Sequence, residues 1–368
     1  MGNGTSTSSG LLREPPTEPA DSKESPKIPA VTILEEQEGD TVESLNVSLP
    51  EGIKITGGVK LRDQGYTGKG VKVAVIDSGV DKDHPGFNGK VVKQEWYRSG
   101  TPLSRDYHGT HVAGTVHLMA PDAEIYDYRV FGRSGEYSID RAIALAIDQA
   151  IADGCAVINM SLGGPFPFGP IGAAVKRAYD AGIIVVCAAG NEGDDNPLTN
   201  EVSYPASYEE CVSVAAVQKK DGLPVATFSS SNAQVDYSGI GVNVLSLQPG
   251  GGVLRLSGTS MACPHVCGFI ACLLSKAKAD ERPDDEVITD DPTGGGFCGC
   301  CGDSAAANVV TNPKPRSDFG ITDDASLRKV LNEKFLVDIG IKGPDNETGL
   351  GFLSYLSKDE LMAILDTL

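Results

Sequence analysis

From residue 71 onward the chain alternates short apolar runs with longer helical runs, and this alternation constrains its fold more than any other feature. Unbroken apolar runs bounded by glycine are typical of parallel strands buried on both faces. Strand–helix alternation predicts an α/β fold, a parallel sheet with helices on both faces. The predicted strands are Val71–Ile76, Ile125–Val130, Ala156–Met160, Ile183–Ala188 and Val212–Val217, and the predicted helices are Gly109–Leu118, Ser138–Ala152, Gly172–Ala181, Thr259–Ala277 and Ala325–Phe335.

Three polar residues lie at positions where a fold of this kind typically has its functional site. Asp77 ends the first strand, at the carboxyl edge where open α/β sheets place their sites. His108 precedes the first helix, and a histidine there can accept a serine proton while an aspartate fixes its tautomer. Ser260, flanked by small residues before an apolar helical run, resembles a nucleophile held at a helix N-terminus, where developing negative charge is favoured.

The chain order of these residues is Asp77, His108, Ser260, which is the order of the subtilisin triad. An α/β-hydrolase would need its acid and its histidine after the serine, and the only later histidine is His265. His111, three residues beyond His108, is expected to pack or hydrogen-bond internally.

The chain resembles the subtilisin-like serine peptidases from Gln64 to about Gly351, most of its length. The resemblance implies a three-layer subtilisin-like fold, an endopeptidase that acts through an acyl-enzyme, and Asn191 as the side-chain oxyanion donor beside the Ser260 backbone N–H. The alternative for Asn191 is a cap for a turn between two glycines. The segments that carry the resemblance are Gln64–Gly70, Val73–Val80, His108–Thr115, Ile158–Gly164, Ala188–Gly193, Ser203–Ala206, Ala226–Ser230 and Leu256–Val266.

The same resemblance suggests a substrate groove in which an extended peptide pairs with backbone as an added strand. A small floor residue leaves a deep pocket, which implies a large apolar or aromatic P1 side chain and broad selectivity. No predicted wall or floor residue is acidic. The pocket residues are Ser161, Leu162, Gly163, Ala188, Ala189 and Gly190 for the walls and Ser203 for the floor.

The resemblance implies no cofactor for the chemistry, and the calcium question stays open. After Thr115 the chain passes through Val116–Met119 straight to Ala120 and Pro121, so the longer family loop with the high-affinity calcium ligands is expected to be deleted. The cysteines Cys298, Cys300 and Cys301 lack a fourth nearby ligand of zinc-like spacing. We interpret them as part of a modifiable surface loop, with palmitoylation or a metal site completed elsewhere as alternatives.

The formal charge of −19 argues against a nucleic-acid partner, because phosphate binding needs clustered Lys and Arg. The expected partners are protein or peptide substrates; the acidity favours solubility, with a preference for basic substrates as the alternative.

No apolar run reaches the roughly 20 residues that span a bilayer, and no secretory signal is recognised. Met1–Ser6 matches the N-myristoylation pattern on Gly2, so a membrane contact through lipidation is a further expectation.

We expect residues 1–48 to form a disordered arm or short propeptide, since they are rich in Ser, Pro, Glu and Thr. Residues 49–368 are predicted to form the peptidase domain, with a surface insertion at about 278–320.

The chain has nine cysteines, and six of them fall in apolar contexts, which favours an intracellular, reducing compartment. Two alternatives to an active peptidase remain: a silent binding protein on the same fold, and a zymogen controlled by the arm.

Overall fold

The computed structural model describes residues 26–28, 30–34, 40–99, 107–275, 317–339, 343 and 345–367. Its centre is a sheet with strand order β11-β12-β8-β7-β6-β5-β2-β4-β3, parallel except for β11. These strands are β2 (Lys72–Asp77), β3 (Val91–Trp96), β4 (Glu124–Arg129), β5 (Val157–Met160), β6 (Ile184–Ala188), β7 (Cys211–Val217), β8 (Tyr237–Ile240), β11 (Leu336–Val337) and β12 (Phe352–Leu353).

Helices cover both faces of this sheet. One core contains Val73 and Val75 of β2 together with the two central helices α4 and α7, and the other contains Ala74 and Ile76 together with α5 and α6. Because alternate residues of β2 enter opposite cores, the strand must be apolar throughout. The helices are α1 (Val42–Val47), α2 (Glu51–Ile55), α3 (Gly58–Asp63), α4 (Tyr107–Met119), α5 (Ile139–Ala152), α6 (Gly169–Asp180), α7 (Thr259–Leu274), α8 (Asp324–Val330) and α9 (Lys358–Leu365).

The predicted α/β class, with a parallel sheet between two helical layers, is confirmed. The five predicted strands correspond to β2, β4, β5, β6 and β7, and their ends differ by at most one residue. The predicted helix 325–335 is α8 followed by a π-helical turn over Leu331–Phe335. Strand β3 was missed because it lies at the sheet edge, where only its first residue, Val91, is buried, so it has no continuous apolar run.

A second, three-stranded sheet in the order β1-β10-β9 lies outside the predicted pattern. It consists of β1 (Thr32–Ile33), β9 (Val244–Gln248) and β10 (Gly252–Ser257), all antiparallel. β9 and β10 form a hairpin that packs on α4 and leads directly into α7. This small sheet therefore positions the start of the helix that carries Ser260.

Residues 1–48, expected to form a disordered arm or short propeptide, include an ordered part among the described residues. It contains β1 and α1, and Thr41 caps α1 reciprocally with Ser44. Two contacts hold this part of the chain in place. β1 pairs with β10, and the carboxylate of Asp40 forms a buried bidentate ion pair with the guanidinium of Arg255, with N–O distances of 2.6 and 2.9 Å. These partners lie more than 200 residues away, so local composition could not reveal them.

Most of the expected insertion, residues 278–316, lies outside the described residues, as do Cys298, Cys300 and Cys301. Within the described residues, no helix is both long and apolar enough to cross a bilayer.

Candidate active site

Asp77 is the last residue of β2 and is fully buried. Its side-chain Oδ1 accepts a hydrogen bond from the backbone N–H of Ser78 at 2.6 Å. Its backbone carbonyl accepts the N–H of Val130, 2.9 Å away, where the chain leaves the neighbouring strand β4. The carboxylate is thus fixed at the carboxyl edge of the sheet by its own turn and by the adjacent strand.

His108 lies in the first turn of α4, directly above that edge. Its Nδ1 lies 2.9 and 3.0 Å from the two carboxylate oxygens of Asp77. The next residue, Gly109, donates its backbone N–H to the Ser78 hydroxyl at 3.0 Å. A Cβ on Gly109 would lie 2.5 Å from the carbonyl oxygen of Gly79, so only glycine lets α4 approach the turn this closely. Local backbone packing therefore brings the imidazole to the carboxylate.

Ser260 is the second residue of α7 and is fully buried. Its hydroxyl donates to the carbonyl of Ser161 at 3.3 Å. The Nε2 atom of His108 is buried and has no hydrogen-bond partner among the described residues. The structure therefore joins His108 to Asp77 but shows no bond from His108 to Ser260; proton transfer would require the serine hydroxyl to leave Ser161.

Asn191 follows β6 and faces the N-terminus of α7. Its side-chain Oδ1 accepts the backbone N–H and the hydroxyl of Thr259 at 2.8 and 2.7 Å. These two bonds determine which way the amide points, so its Nδ2 donor is directed away from Thr259. Thr259, next to Ser260, is thus a positioning residue that the sequence interpretation did not include.

The predicted pocket residues lie together at the carboxyl ends of β5 and β6. Gly163 packs against Ser203: a Cβ on Gly163 would lie 2.3 Å from the Ser203 hydroxyl. Gly190 is also close to Ser203, 3.2 Å from its Cβ, and to the carboxylate of Glu192 at 2.6 Å, both measured from an ideal Cβ. Glu192 was absent from the predicted set; its carboxylate accepts the backbone N–H of Asn191.

Residues of the N-terminal arm bind to two of the predicted site residues, Gly163 and Asn191. Lys27 exchanges two backbone hydrogen bonds with Gly163, at 2.9 and 2.8 Å, in an antiparallel bridge. The carbonyl of Ala30 accepts the Nδ2–H of Asn191 at 2.6 Å. The chain then enters β1, which pairs with β10 just before α7. An extended peptide segment therefore already fits between the backbone of Gly163 and the side chain of Asn191.

A buried polar chain supports the helix end that carries Ser260. The Ser161 hydroxyl donates to the backbone carbonyl of Ser260 at 2.9 Å and accepts from Asn159 at 3.1 Å. The thiol of Cys263 donates to the other end of the Asn159 amide at 3.3 Å. Burial raises the pKa of Cys263 well above its usual range. This cysteine therefore stays a protonated, structural thiol.

The other histidines of α4 and α7 are neutral structural groups. His111 places Nε2 3.0 Å from each of the carbonyls of Val244 and Leu254, and burial lowers its pKa to about 3. Burial also lowers the pKa of His117 and of His265 to about 4. His111 hydrogen-bonds internally, as the sequence analysis predicts.

In the described parts of the chain, no group of three or more His, Cys, Asp or Glu side chains is arranged to hold a metal ion. Helix α4 continues without interruption to Met119, and Pro121 and β4 follow it at once.

A buried carboxylate–imidazole pair at the edge of a parallel α/β sheet, together with a serine at the start of a central helix, is typical of serine hydrolases of the Asp-His-Ser class. The comparisons with known proteins specify it further. The profile described as the subtilase family matches residues 68–312. The chain therefore belongs to the subtilase family, and it is a serine-type endopeptidase.

Three relatives align with this chain over similar numbers of residues. Subtilisin E of Bacillus subtilis (strain 168) is 40% identical over 271 residues, covering 69% of this chain and 68% of that protein. The major intracellular serine protease of the same organism is 38% identical over 246 residues, 62% of this chain and 75% of that protein. The intracellular serine protease of Paenibacillus polymyxa is 37% identical over 275 residues, with 70% and 80% covered.

Proposed function

We propose that the chain hydrolyses peptide bonds through Asp77, His108 and Ser260, with Asn191 as an oxyanion donor. The observation that carries the proposal is the pair of contacts from His108 Nδ1 to both oxygens of the buried Asp77 carboxylate. A carboxylate on Nδ1 selects the tautomer whose Nε2 is free to accept a proton, and it stabilises the imidazolium that forms.

The proposed reaction has two symmetrical halves. His108 accepts the proton of Ser260 as the serine oxygen attacks the scissile carbonyl, and the amide Nδ2 of Asn191 donates to the developing oxyanion. The imidazolium then gives its proton to the leaving amine, which leaves an acyl-enzyme. Water, deprotonated by His108, attacks the ester carbonyl, and the serine leaves with the proton.

Replacing the nucleophile tests this assignment. We expect Ser260→Ala to abolish both peptide hydrolysis and covalent labelling by a serine-directed fluorophosphonate. Ser161→Ala serves as a comparison, because it keeps the nucleophile while removing a hydroxyl that supports the same helix end. Labelling that persists in Ser260→Ala would refute the proposal, and a parent protein that does not label would favour a silent binding protein.

We propose a broad specificity with preference for large apolar P1 side chains. Support comes from the small residues Gly163 and Gly190, which lie next to Ser203 and add no side-chain bulk there. The acidic side chain of Glu192 lies close to Gly190, and its carboxylate already accepts the backbone N–H of Asn191. Peptide substrates that differ only in P1 test the proposal: kcat/KM should be higher for Phe than for Lys, and the reverse order would reject it.

We further propose that the arm segment formed by residues 26–28 and 30–34 competes with substrate for the same backbone and side-chain partners. Support comes from the antiparallel pairing of Lys27 with Gly163 and from the Ala30 carbonyl, which accepts the same Asn191 amide that an oxyanion would use. Such a segment is always present at high effective concentration, so it suppresses binding of a free peptide.

The backbone N–H of Lys27 offers a selective test of this competition. Lys27→Pro removes that donor, whereas Lys27→Arg keeps it together with the charge. We expect the proline variant to hydrolyse a short chromogenic peptide with a lower KM than the parent, and the arginine variant to match the parent. Equal KM values for both variants would contradict the competition, and N-terminal sequencing of active protein shows whether the arm is removed.

We infer a reducing, intracellular setting. The six described cysteines are all buried and free, and two relatives are named as intracellular proteases. Myristoylation of Gly2 stays a prediction, because that residue lies outside the described part of the chain. Intact-mass analysis of protein from a eukaryotic host, compared with Gly2→Ala, tests it.

A further inference from the structure

A second buried carboxylate lies beside the strand that carries Asp77. Asp127 is in β4, where it pairs with Val75 of β2, two residues before Asp77. Paired and alternate residues of a sheet share a face, so Asp127 and Asp77 lie on the same side of the sheet. The Asp127 side chain is fully buried. A buried ionisable group next to the candidate catalytic aspartate needs a physical explanation.

The contacts of Asp127 supply it. One carboxylate oxygen, Oδ2, accepts three donors: the backbone N–H of Val80 at 3.1 Å, the side-chain amide of Gln94 at 2.8 Å and the indole N–H of Trp96 at 3.2 Å. Gln94 also donates to the carbonyl of Val80 at 2.8 Å. The N–H and C=O of Val80 are therefore both bound to this polar cluster of Asp127, Gln94 and Trp96.

Val80 ends the turn that begins at Asp77. This turn, residues 77–80, is also the surface on which the helix of His108 rests, through the Ser78–Gly109 hydrogen bond and the close contact of Gly79 with Gly109. Asp77 thus reaches His108 only if the turn is held in place at its far end as well. The bonds from the polar cluster to Val80 provide that restraint.

We propose that Asp127 is a positioning residue for the triad: it fixes the turn 77–80 and thereby the approach of Asp77 to His108. The inference rests on the proposed function, and it assigns Asp127 no contact with substrate. Burial, with a smaller contribution from the charge on Asp77, raises the pKa of Asp127 to about 6. At pH 8 the carboxyl is therefore ionised and accepts all three donors.

Four variants of the full chain separate positioning from general stability. Asp127→Ala removes the acceptor, and Asp127→Asn keeps one oxygen that can take the place of Oδ2. Gln94→Met, at a half-buried site, removes the amide bond to the Val80 carbonyl in the turn and the amide bond to Asp127. Tyr128→Phe is the matched control, because it lies on the same strand, faces the other core and loses a hydrogen bond to Asp153.

The kinetics are measured at pH 8 on a chromogenic peptide and normalised to fluorophosphonate-reactive protein. We expect Asp127→Ala to lower kcat about 100-fold with KM little changed, as for a misplacement of about 1 Å in a catalytic group. Asp127→Asn should stay within about fivefold of the parent, because a neutral acceptor weakens the bonds without removing them. Gln94→Met should fall between these two, and Tyr128→Phe should keep the parental kcat.

A second readout follows the geometry itself. The downfield proton resonance of the His108–Asp77 hydrogen bond should shift in Asp127→Ala and stay in place in Tyr128→Phe. The inference is overturned if Asp127→Ala keeps the parental kcat, if its loss lies in KM, or if Tyr128→Phe loses as much. If Asp127→Ala does not fold, a parental kcat in Gln94→Met overturns it instead. Failure of the proposed function is separate: it would show as activity in Ser260→Ala.

Discussion

Acidification from pH 7.5 to pH 5 should destabilise the folded protein, although carboxylates with ordinary or lowered pKa values stay ionised over most of this range. The cause is a set of three buried histidines, His111, His117 and His265, whose pKa values burial lowers to about 3, 4 and 4. In the unfolded chain each has a pKa near 6.5. Below about pH 6.5 these histidines bind protons in the unfolded state but not in the folded state, so the free energy of unfolding falls as the pH falls.

The size of the effect follows from the pKa difference. A pH of 5 is about 1.5 units below the pKa of a histidine in the unfolded chain. Each of the three histidines therefore lowers the free energy of unfolding by about 2 kcal/mol, and together they lower it by about 6 kcal/mol. Asp127 opposes this trend, since its pKa is raised to about 6: the folded state takes up its proton first, which returns about 1 kcal/mol at pH 5. The net loss of about 5 kcal/mol is comparable with the total stability of an ordinary domain.

Urea unfolding of the Ser260→Ala protein, which should not digest itself, measures this loss between pH 7.5 and pH 5. Near pH 5 the unfolded state should bind about two more protons than the folded state, and His117→Gln should reduce that number by one. Carboxylates with lowered pKa values, such as Asp153 and Glu201, act only below about pH 4 and leave this window unaffected. A free energy of unfolding that stays constant from pH 7.5 to pH 5, or a slope unchanged by His117→Gln, would refute the reasoning.

Three further substitutions follow from the site. Gly109→Ala puts a Cβ 2.5 Å from the Gly79 carbonyl, so His108 must move; we expect kcat in a steady-state assay to fall about 100-fold with the fold retained by circular dichroism. Asn191→Ala should lower kcat with little change in KM, because the lost donor acts in the transition state, and an unchanged kcat would exclude it as a donor. Asp40→Ala leaves the buried charge of Arg255 without its carboxylate and should cost about 3–5 kcal/mol in urea unfolding; a loss below 1 kcal/mol would contradict a buried ion pair.

The sequence by itself determines the class of fold and the candidate triad, because both depend on local signals. A strand buried on both faces must be apolar along its whole length, so β2 could be recognised from Val73–Ile76 alone. Asp77 is then marked by its position at the end of that strand. The setting of His108 and Ser260 at helix starts is equally local, and their chain order limits the choice of mechanism.

Tertiary structure alone decides how these groups are held and what lies over them. β1 is two residues long and forms only because β10, more than 200 residues later, offers it backbone partners. The orientation of the Asn191 amide depends on Thr259, and the turn after Asp77 depends on Asp127. Hydrogen bonds between side chains far apart in sequence leave no periodic pattern in the sequence. Residue types can therefore indicate which groups react, but only the folded chain shows how those groups are oriented.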